Sequence, residues 1–100
     1  MGFIAYQLAD HVATLTITRE EALNALNAEV LTELSTTLDR AAHDRARCLV
    51  ITGAGRAFVA GADVATMAPM TRAEAHAFSE LGNGVFRKLE LLPIPSIAAV

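Results

Sequence analysis

The stretch V-I-T-G-A-G-R-A-F-V-A-G-A-D, residues 50–63, constrains this chain more than any other. A short apolar run from Cys48 to Ile51 ends in a glycine-rich turn. Arg56-Ala57-Phe58 follows, and then Ala60-Gly61-Ala62-Asp63. Glycines directly after an apolar strand mark backbone that turns sharply or lies close to something else. Small side chains at 60, 61 and 62 leave the peptide groups themselves uncovered. A bare N–H in such a place can donate to an oxyanion as charge develops on it. From spacing alone, a tight strand-to-loop turn without a ligand explains the same residues equally well.

The elements around this stretch follow from periodicity. Residues 3–8 and 12–18 read as two strands joined by a turn at Ala9-Asp10-His11. In the second, Ala13, Leu15 and Ile17 alternate with Val12, Thr14, Thr16 and Thr18, the pattern of a half-buried hairpin strand. Asn27 is placed to cap a helix running to about His43, with Val30, Leu31, Leu34, Leu38, Ala41 and Ala42 on one face. Glu29 and Glu33 lie toward its positive end, and Arg40, His43 and Arg45 toward its negative end. Residues 47–52 form a strand with a continuous apolar centre, as in a strand buried on both faces. Strand, helix and strand in this order predict a crossover unit. Residues 63–69 read as irregular or briefly helical. Thr71-Arg72-Ala73-Glu74 is a capping box opening a second helix, whose apolar face carries Phe78, Leu81, Val85, Leu89 and Leu92. Pro93 and Pro95 stop it, and an apolar strand starts at Ser96.

Composition narrows the classes. Of the 100 residues, 53% are hydrophobic and only 5% aromatic. Apolar usage in ordinary soluble domains is about 45–50% even with glycine included. The excess predicts surface covered by something outside these residues, either the rest of a subunit or other subunits. The formal net charge of −3 gives no reason to expect a nucleic-acid partner. No apolar run reaches the ~18 residues needed to span a membrane, and no signal peptide is visible, so a cytoplasmic location is expected. The single Cys48 permits no disulfide within the chain and no paired-cysteine metal site, and reads as a small buried hydrophobe. His11, His43 and His76 match no metal-ligand motif and read as surface or structural residues. Gly53 and Gly55 begin like a dinucleotide fingerprint, but its third glycine position holds Phe58, so that reading fails.

Residues 50–63, with their G-R-A-F-x-A-G-A-D core, resemble the signature of the crotonase superfamily, the enoyl-CoA hydratase/isomerase family. The second matching stretch is Thr18-Arg19-Glu20-Glu21-Ala22-Leu23-Asn24-Ala25-Leu26-Asn27. There Asn24-Ala25-Leu26 fit the family's N-R-P-x-x-x-N-A-L pattern, while Thr18 and Glu20 depart from it. The resemblance extends over nearly the whole chain. It implies an α/β fold of the crotonase-type ββα spiral, of which residues 1–100 are the N-terminal portion of a single domain. It implies an acyl-CoA thioester as substrate, with no separate cofactor, since coenzyme A is part of that substrate. It also implies a homotrimer or hexamer.

Carried onto this chain, the resemblance makes the N–H of Ala62 one of two backbone donors to the thioester oxygen. It assigns coenzyme contacts to Ala60, Gly61, Ala62, Asp63 and Val64, and, through backbone and apolar contact, to Ala22 and Leu23. Glu21 stands where the family often has a lysine near the coenzyme's phosphates, and a glutamate repels them. For Asn24 and Leu26, a loop that only places the helix cap is an equal reading. Met67, Met70 and Phe78 offer apolar surface for an acyl chain, although ordinary core packing is the stronger reading of all three. The second oxyanion donor and the two glutamates of the family's hydratases are expected beyond Val100. The implied function is an enoyl-CoA hydratase. Other reactions of the superfamily (isomerisation, dehalogenation, decarboxylation, thioester hydrolysis) and a non-catalytic acyl-CoA-binding paralogue stay open. Residues 1–100 alone are expected neither to fold stably nor to be active.

Overall fold

The computed structural model describes residues 2–100. Strand β1 (Ile4–Ala9) pairs antiparallel with β2 (Val12–Ile17), Ile4 facing Ile17 and Ala9 facing Val12. Asp10 and His11 both take left-handed backbone, with φ of 53° and 67°. That makes a two-residue turn whose twist matches the strands it joins. The first strand therefore runs one residue further than its sequence pattern suggests, through Ala9.

Helix α1 (Ala28–His43) lies over the hairpin. Asn27 caps it by accepting the Val30 N–H at 2.9 Å, satisfying one of the orphan donors of the first turn. Val30, Leu31, Leu34, Leu38 and Ala41 are buried as the spacing predicts, against Ala13, Leu15 and Ile17 of β2. Thr37 joins them because its hydroxyl is spent on the Glu33 carbonyl at 2.7 Å. Ala42 does not join them. It is exposed, standing about 100° round the helix from Ala41, at the rim of the apolar arc.

Strand β3 (Cys48–Gly53) pairs parallel with β2 across the α1 crossover, Val12 beside Cys48 and Ile17 beside Gly53. Its apolar centre is not buried on both faces. Leu49 and Ile51 are buried in the same cluster as the α1 leucines. Cys48 and Val50 point the other way, alongside Val12 and Thr14, and are half-buried. The alternation is that of a sheet covered on one face. It leaves Cys48 half-buried where the sequence reading has it buried.

Beyond β3 come a single helical turn, α2 (Val64–Met67), a long helix, α3 (Arg72–Leu91), and strand β4 (Ser96–Ala99), which lies parallel beside β3. The Thr71–Glu74 capping box forms in both directions, at 2.9 and 3.1 Å. Helix α3 packs on α1, where Lys88 reaches Ser35 at 2.7 Å and Asp39 at 3.1 Å. The result is one four-stranded sheet in the order β1-β2-β3-β4, an α/β arrangement. The β2–α1 connection and the β3–α2 connection leave the sheet at the same end, where the parallel strands β2 and β3 finish side by side, and meet, which brings residues 18–27 against residues 53–63.

Candidate functional site

Two loops build the site, and buried polar contacts weld them together. The first leaves β2 and passes through a 3₁₀ turn at Glu20–Ala22. Leu23 and Asn24 then adopt left-handed backbone, with φ of 52° and 59°. Asparagine tolerates that region better than most residues, and here its side chain is fully used. Asn24 is completely buried. Its Oδ1 accepts the Arg19 N–H at 2.8 Å, and its Nδ2 donates to the carbonyls of Ala54 at 3.0 Å and Ala57 at 2.8 Å. One amide thus joins the start of the first loop to both sides of the glycine-rich turn after β3. Gly53 is needed beside it: a Cβ there would collide with the Ala57 and Phe58 carbonyl oxygens.

The second join is a short parallel bridge between Leu26 and Ala62. The Leu26 N–H donates to the Gly61 carbonyl, and the Leu26 carbonyl accepts from Asp63 N–H, each at 2.8 Å. Just upstream, the Ala60 N–H donates to the Leu23 carbonyl at 3.1 Å. In a parallel bridge, a residue that bonds to both neighbours of its opposite number leaves that opposite residue's own N–H and C=O pointing away. The Ala62 N–H is therefore turned out of the join, and it donates to no acceptor among the described residues. Gly61, just before it, has φ of 131°, a conformation that residues with a Cβ rarely adopt.

Asp63 anchors the downstream side. Its carboxylate meets the Arg19 guanidinium at 2.8 Å, with the two side chains only 12% and 15% exposed. It also accepts the Thr66 hydroxyl at 2.9 Å and, at 3.4 Å, the Thr66 N–H, capping α2. The hydrogen bond from Arg19, followed by that from Thr66, holds the Asp63 carboxyl below its ordinary pKa, so it is a carboxylate at neutral pH. A second Arg19 nitrogen donates to the Ala25 carbonyl at 2.9 Å.

The structure brings together most of the residues singled out in the sequence. Leu23 contacts Ala60 through its backbone, and Ala62 and Asp63 flank the Leu26 bridge. Ala22 ends the 3₁₀ turn and is half-buried. Ala60 and Ala62 are exposed, as are the apolar side chains of Leu23, at 42%, and Val64, at 74%. The acyl-chain candidates behave differently. Phe78 is half-buried against the core, whereas Met67 is exposed rather than packed in it. An apolar cleft of about 360 Å³ lies close by, but its walls are Ile17, Leu26, Phe58, Leu89, Phe86 and Ile97 among others, not Met67, Met70 or Phe78. Sequence reasoning missed the Arg19–Asp63 pair and the central place of Asn24. The tolerance of asparagine for left-handed backbone is the one local signal that could have found Asn24. No group of three or more metal-ligating side chains is present among the described residues, and no helix among them is long and apolar enough to cross a membrane.

This geometry sits in a chain with clear relatives. The family described as enoyl-CoA hydratase/isomerase matches residues 7–100. The chain is 47% identical over 91 residues to a short-chain-enoyl-CoA hydratase of Clostridium acetobutylicum, covering 89% of this chain and 35% of that protein. It is 41% identical over 99 residues to a crotonyl-CoA hydratase of Syntrophomonas wolfei, covering 97% of this chain and 38% of the relative. Its fold superposes on the crystal structure of an enoyl-CoA hydratase from Thermoplasma volcanium with a TM-score of 0.93 at 30% identity, over 98% of this chain and 40% of that one. The chain thus spans little more than a third of the length of the curated relatives it matches. With the family matched from the hairpin onward and the α/β fold shared with a solved crotonase-type hydratase, the chain belongs to the enoyl-CoA hydratase/isomerase family.

Proposed function

We propose that these residues are the N-terminal part of an enoyl-CoA hydratase subunit that adds water across the α,β double bond of an acyl-CoA thioester. The outward-turned, unoccupied Ala62 N–H carries this reading. When water adds at the β carbon, negative charge moves onto the thioester oxygen. A fixed N–H aimed at that oxygen stabilises the enolate more than the ground-state carbonyl. Ala60 and Gly61 keep side chains out of the way. Exposed Leu23 and Val64, with Ala22, offer apolar and backbone contact to the coenzyme, and the Asp63 carboxylate is already spent on Arg19 and Thr66. The second oxyanion donor and the two acid/base glutamates belong to sequence beyond residue 100. The complete subunit works in the cytoplasm as a homotrimer or hexamer, without a cofactor beyond the coenzyme its substrate carries. The apolar excess of the composition favours such an assembly.

The test is Ala62→Pro in the complete subunit. Because the Ala62 N–H takes no part in the Leu26 bridge, proline removes the free donor while both bridge bonds remain available. Crotonyl-CoA hydration should fall by at least about a hundredfold, the scale of one lost oxyanion donor, with the melting temperature little changed. A folded Ala62→Pro enzyme that hydrates crotonyl-CoA at near the wild-type rate would reduce this stretch to a structural turn.

A further inference from the structure

We infer that Arg19 is a positioning residue: its guanidinium clamps Asp63 to the 18–27 loop and so sets the direction of the Ala62 N–H. The inference rests on the hydratase reading above and adds to it a residue that touches neither the thioester nor the reacting atoms.

The tie between the two loops at Ala62 is slight in backbone terms. It is an isolated bridge, outside the four-stranded sheet, held on either side of Ala62 by one bond to Leu26. Those two bonds are the bridge's hold on the Ala62 peptide, and Arg19 adds a side-chain hold to them. One of its nitrogens holds the Ala25 carbonyl at 2.9 Å, next to Leu26, and another holds the Asp63 carboxylate at 2.8 Å, next to Ala62. The guanidinium therefore spans the bridge, with one contact on each strand. Its planar fork fixes the two acceptors in relative orientation, which a flexible ammonium does less well. Both side chains are mostly shielded from water, so the pair is screened less than a surface ion pair.

The clamp is itself anchored. The Arg19 N–H is held by the Asn24 side chain at 2.8 Å, and the Arg19 carbonyl accepts the Asn24 N–H at 2.9 Å. Asn24 is tied in turn to the carbonyls of Ala54 and Ala57 just beyond β3. An unbroken path of hydrogen bonds runs from the end of the sheet through Asn24 and Arg19 to the residue after Ala62. Its consequence is directional. A hydrogen bond weakens steeply as its angle departs from linear, and a shift of about 1 Å in a catalytic contact can cost ~10²-fold in rate.

The experiment compares Arg19→Met, Arg19→Lys and Asp63→Asn in the complete subunit. Steady-state hydration of crotonyl-CoA gives kcat and KM, and the infrared C=O stretch of the bound thioester reports how strongly its oxygen is polarised. Arg19→Met should lower kcat by roughly tenfold or more, within the range that misplacement allows. KM should stay within about threefold, and the red shift of the bound carbonyl should shrink. Arg19→Lys should recover part of both. Arg19→Met combined with Asp63→Asn should be little worse than either alone, because each cuts the same clamp. A folded Arg19→Met enzyme with unchanged kcat and unchanged carbonyl shift would overturn the inference. So would a variant that raises KM alone, since Arg19 would then be a coenzyme contact. Should Arg19→Met fail to fold, Asp63→Asn carries the same two readouts, since it removes the charge that holds the Arg19 guanidinium. The wild-type spectrum separates the two levels of the argument. A wild-type subunit that binds crotonyl-CoA without polarising its carbonyl overturns the oxyanion reading, and the clamp's purpose with it.

Discussion

Helices α1 and α3 carry similar apolar spacing but meet different surroundings. Helix α1 lies across β1 and β2 and against α3, and it buries Val30, Leu31, Leu34, Leu38 and Ala41. Helix α3 is longer and docks on the flank of α1, and Val85 is its one buried residue. Its Phe86, 46% exposed, lines one cleft with Ile97 of β4, itself 53% exposed, and its Leu91 is 64% exposed. Periodicity tells which side of a helix is apolar. It does not tell what lies opposite. The inner half of this molecule is closed by its own residues, while the outer half presents apolar surface that the chain itself does not cover.

Paired truncations in the complete subunit would break or sharpen that contrast, and they carry the largest expected effect. Leu38→Ala removes a fully buried side chain from the joint between α1 and the sheet. It should cost about 2–5 kcal/mol in denaturant unfolding. On the contacts seen here, Leu91→Ala should cost no more than about 0.5 kcal/mol, as for a surface position. A Leu91→Ala cost matching that of Leu38→Ala would mean that the outer half is buried by later sequence or by another subunit. The contrast would then belong to these residues and not to the assembled protein.

The same division explains what could be read from the sequence. The Asn27 cap and the Thr71–Glu74 capping box depend on residues three apart, so both were visible as written. The hairpin and the α1 face were legible because one period governs each of them. The burial of β3 was not, since a run such as Leu49, Val50 and Ile51 has the same letters whether one face is covered or two. At the site, the family pattern marked residues 60–64 and the Asn24-Ala25-Leu26 match. The Leu26–Ala62 bridge and the Arg19–Asp63 pair join distant segments, and no local rule announces such contacts. Nor did methionine chemistry locate the apolar cleft, whose walls come from β2, β3, β4, α1 and α3.

Glycines give a second, smaller comparison between the halves. At Gly53, inside the welded loops, a methyl group would run into two backbone carbonyls and come within 2.7 Å of Asn24 Nδ2. Backbone cannot step aside as a flexible side chain can, so Gly53→Ala should destabilise the subunit by about 1–3 kcal/mol. At Gly84, on α3, a methyl group meets nothing within 4 Å. Gly84→Ala should therefore stabilise by up to about 1 kcal/mol, the difference in helix propensity. Chemical denaturation of both variants measures the two signs together. A destabilised Gly84→Ala would place a neighbour against α3 that these residues do not supply.

The smallest expected effect concerns how each half uses a glutamate. Glu33 of α1 reaches across to the hairpin, and its two oxygens accept the Phe3 N–H at 3.1 Å and the Ile4 N–H at 2.8 Å. Glu74 of α3 serves only its own helix end, through Thr71. Burial, the largest single influence, pushes the Glu33 carboxyl up, the Phe3 and Ile4 N–H donors are among the influences that lower it, and the net shift is downward. A carboxyl whose pKa is lower folded than unfolded contributes stability above its unfolded value of about 4.3 and loses it as pH falls through the folded value. Glu33→Gln replaces one acceptor with an NH₂ that cannot accept, so near pH 7 it should cost about 1 kcal/mol, the net worth of one such hydrogen bond. That deficit relative to wild type should shrink as pH falls below the unfolded value and on through the lowered folded one, where wild-type Glu33 takes up its own proton. Glu74→Gln keeps an acceptor for the exposed Thr71 N–H and should cost less at every pH. Unfolding curves of the three proteins at pH 7 and pH 3.5 decide the matter. A Glu33→Gln deficit that stays constant across that range would mean that the tie between α1 and the hairpin depends on shape and not on the carboxylate charge.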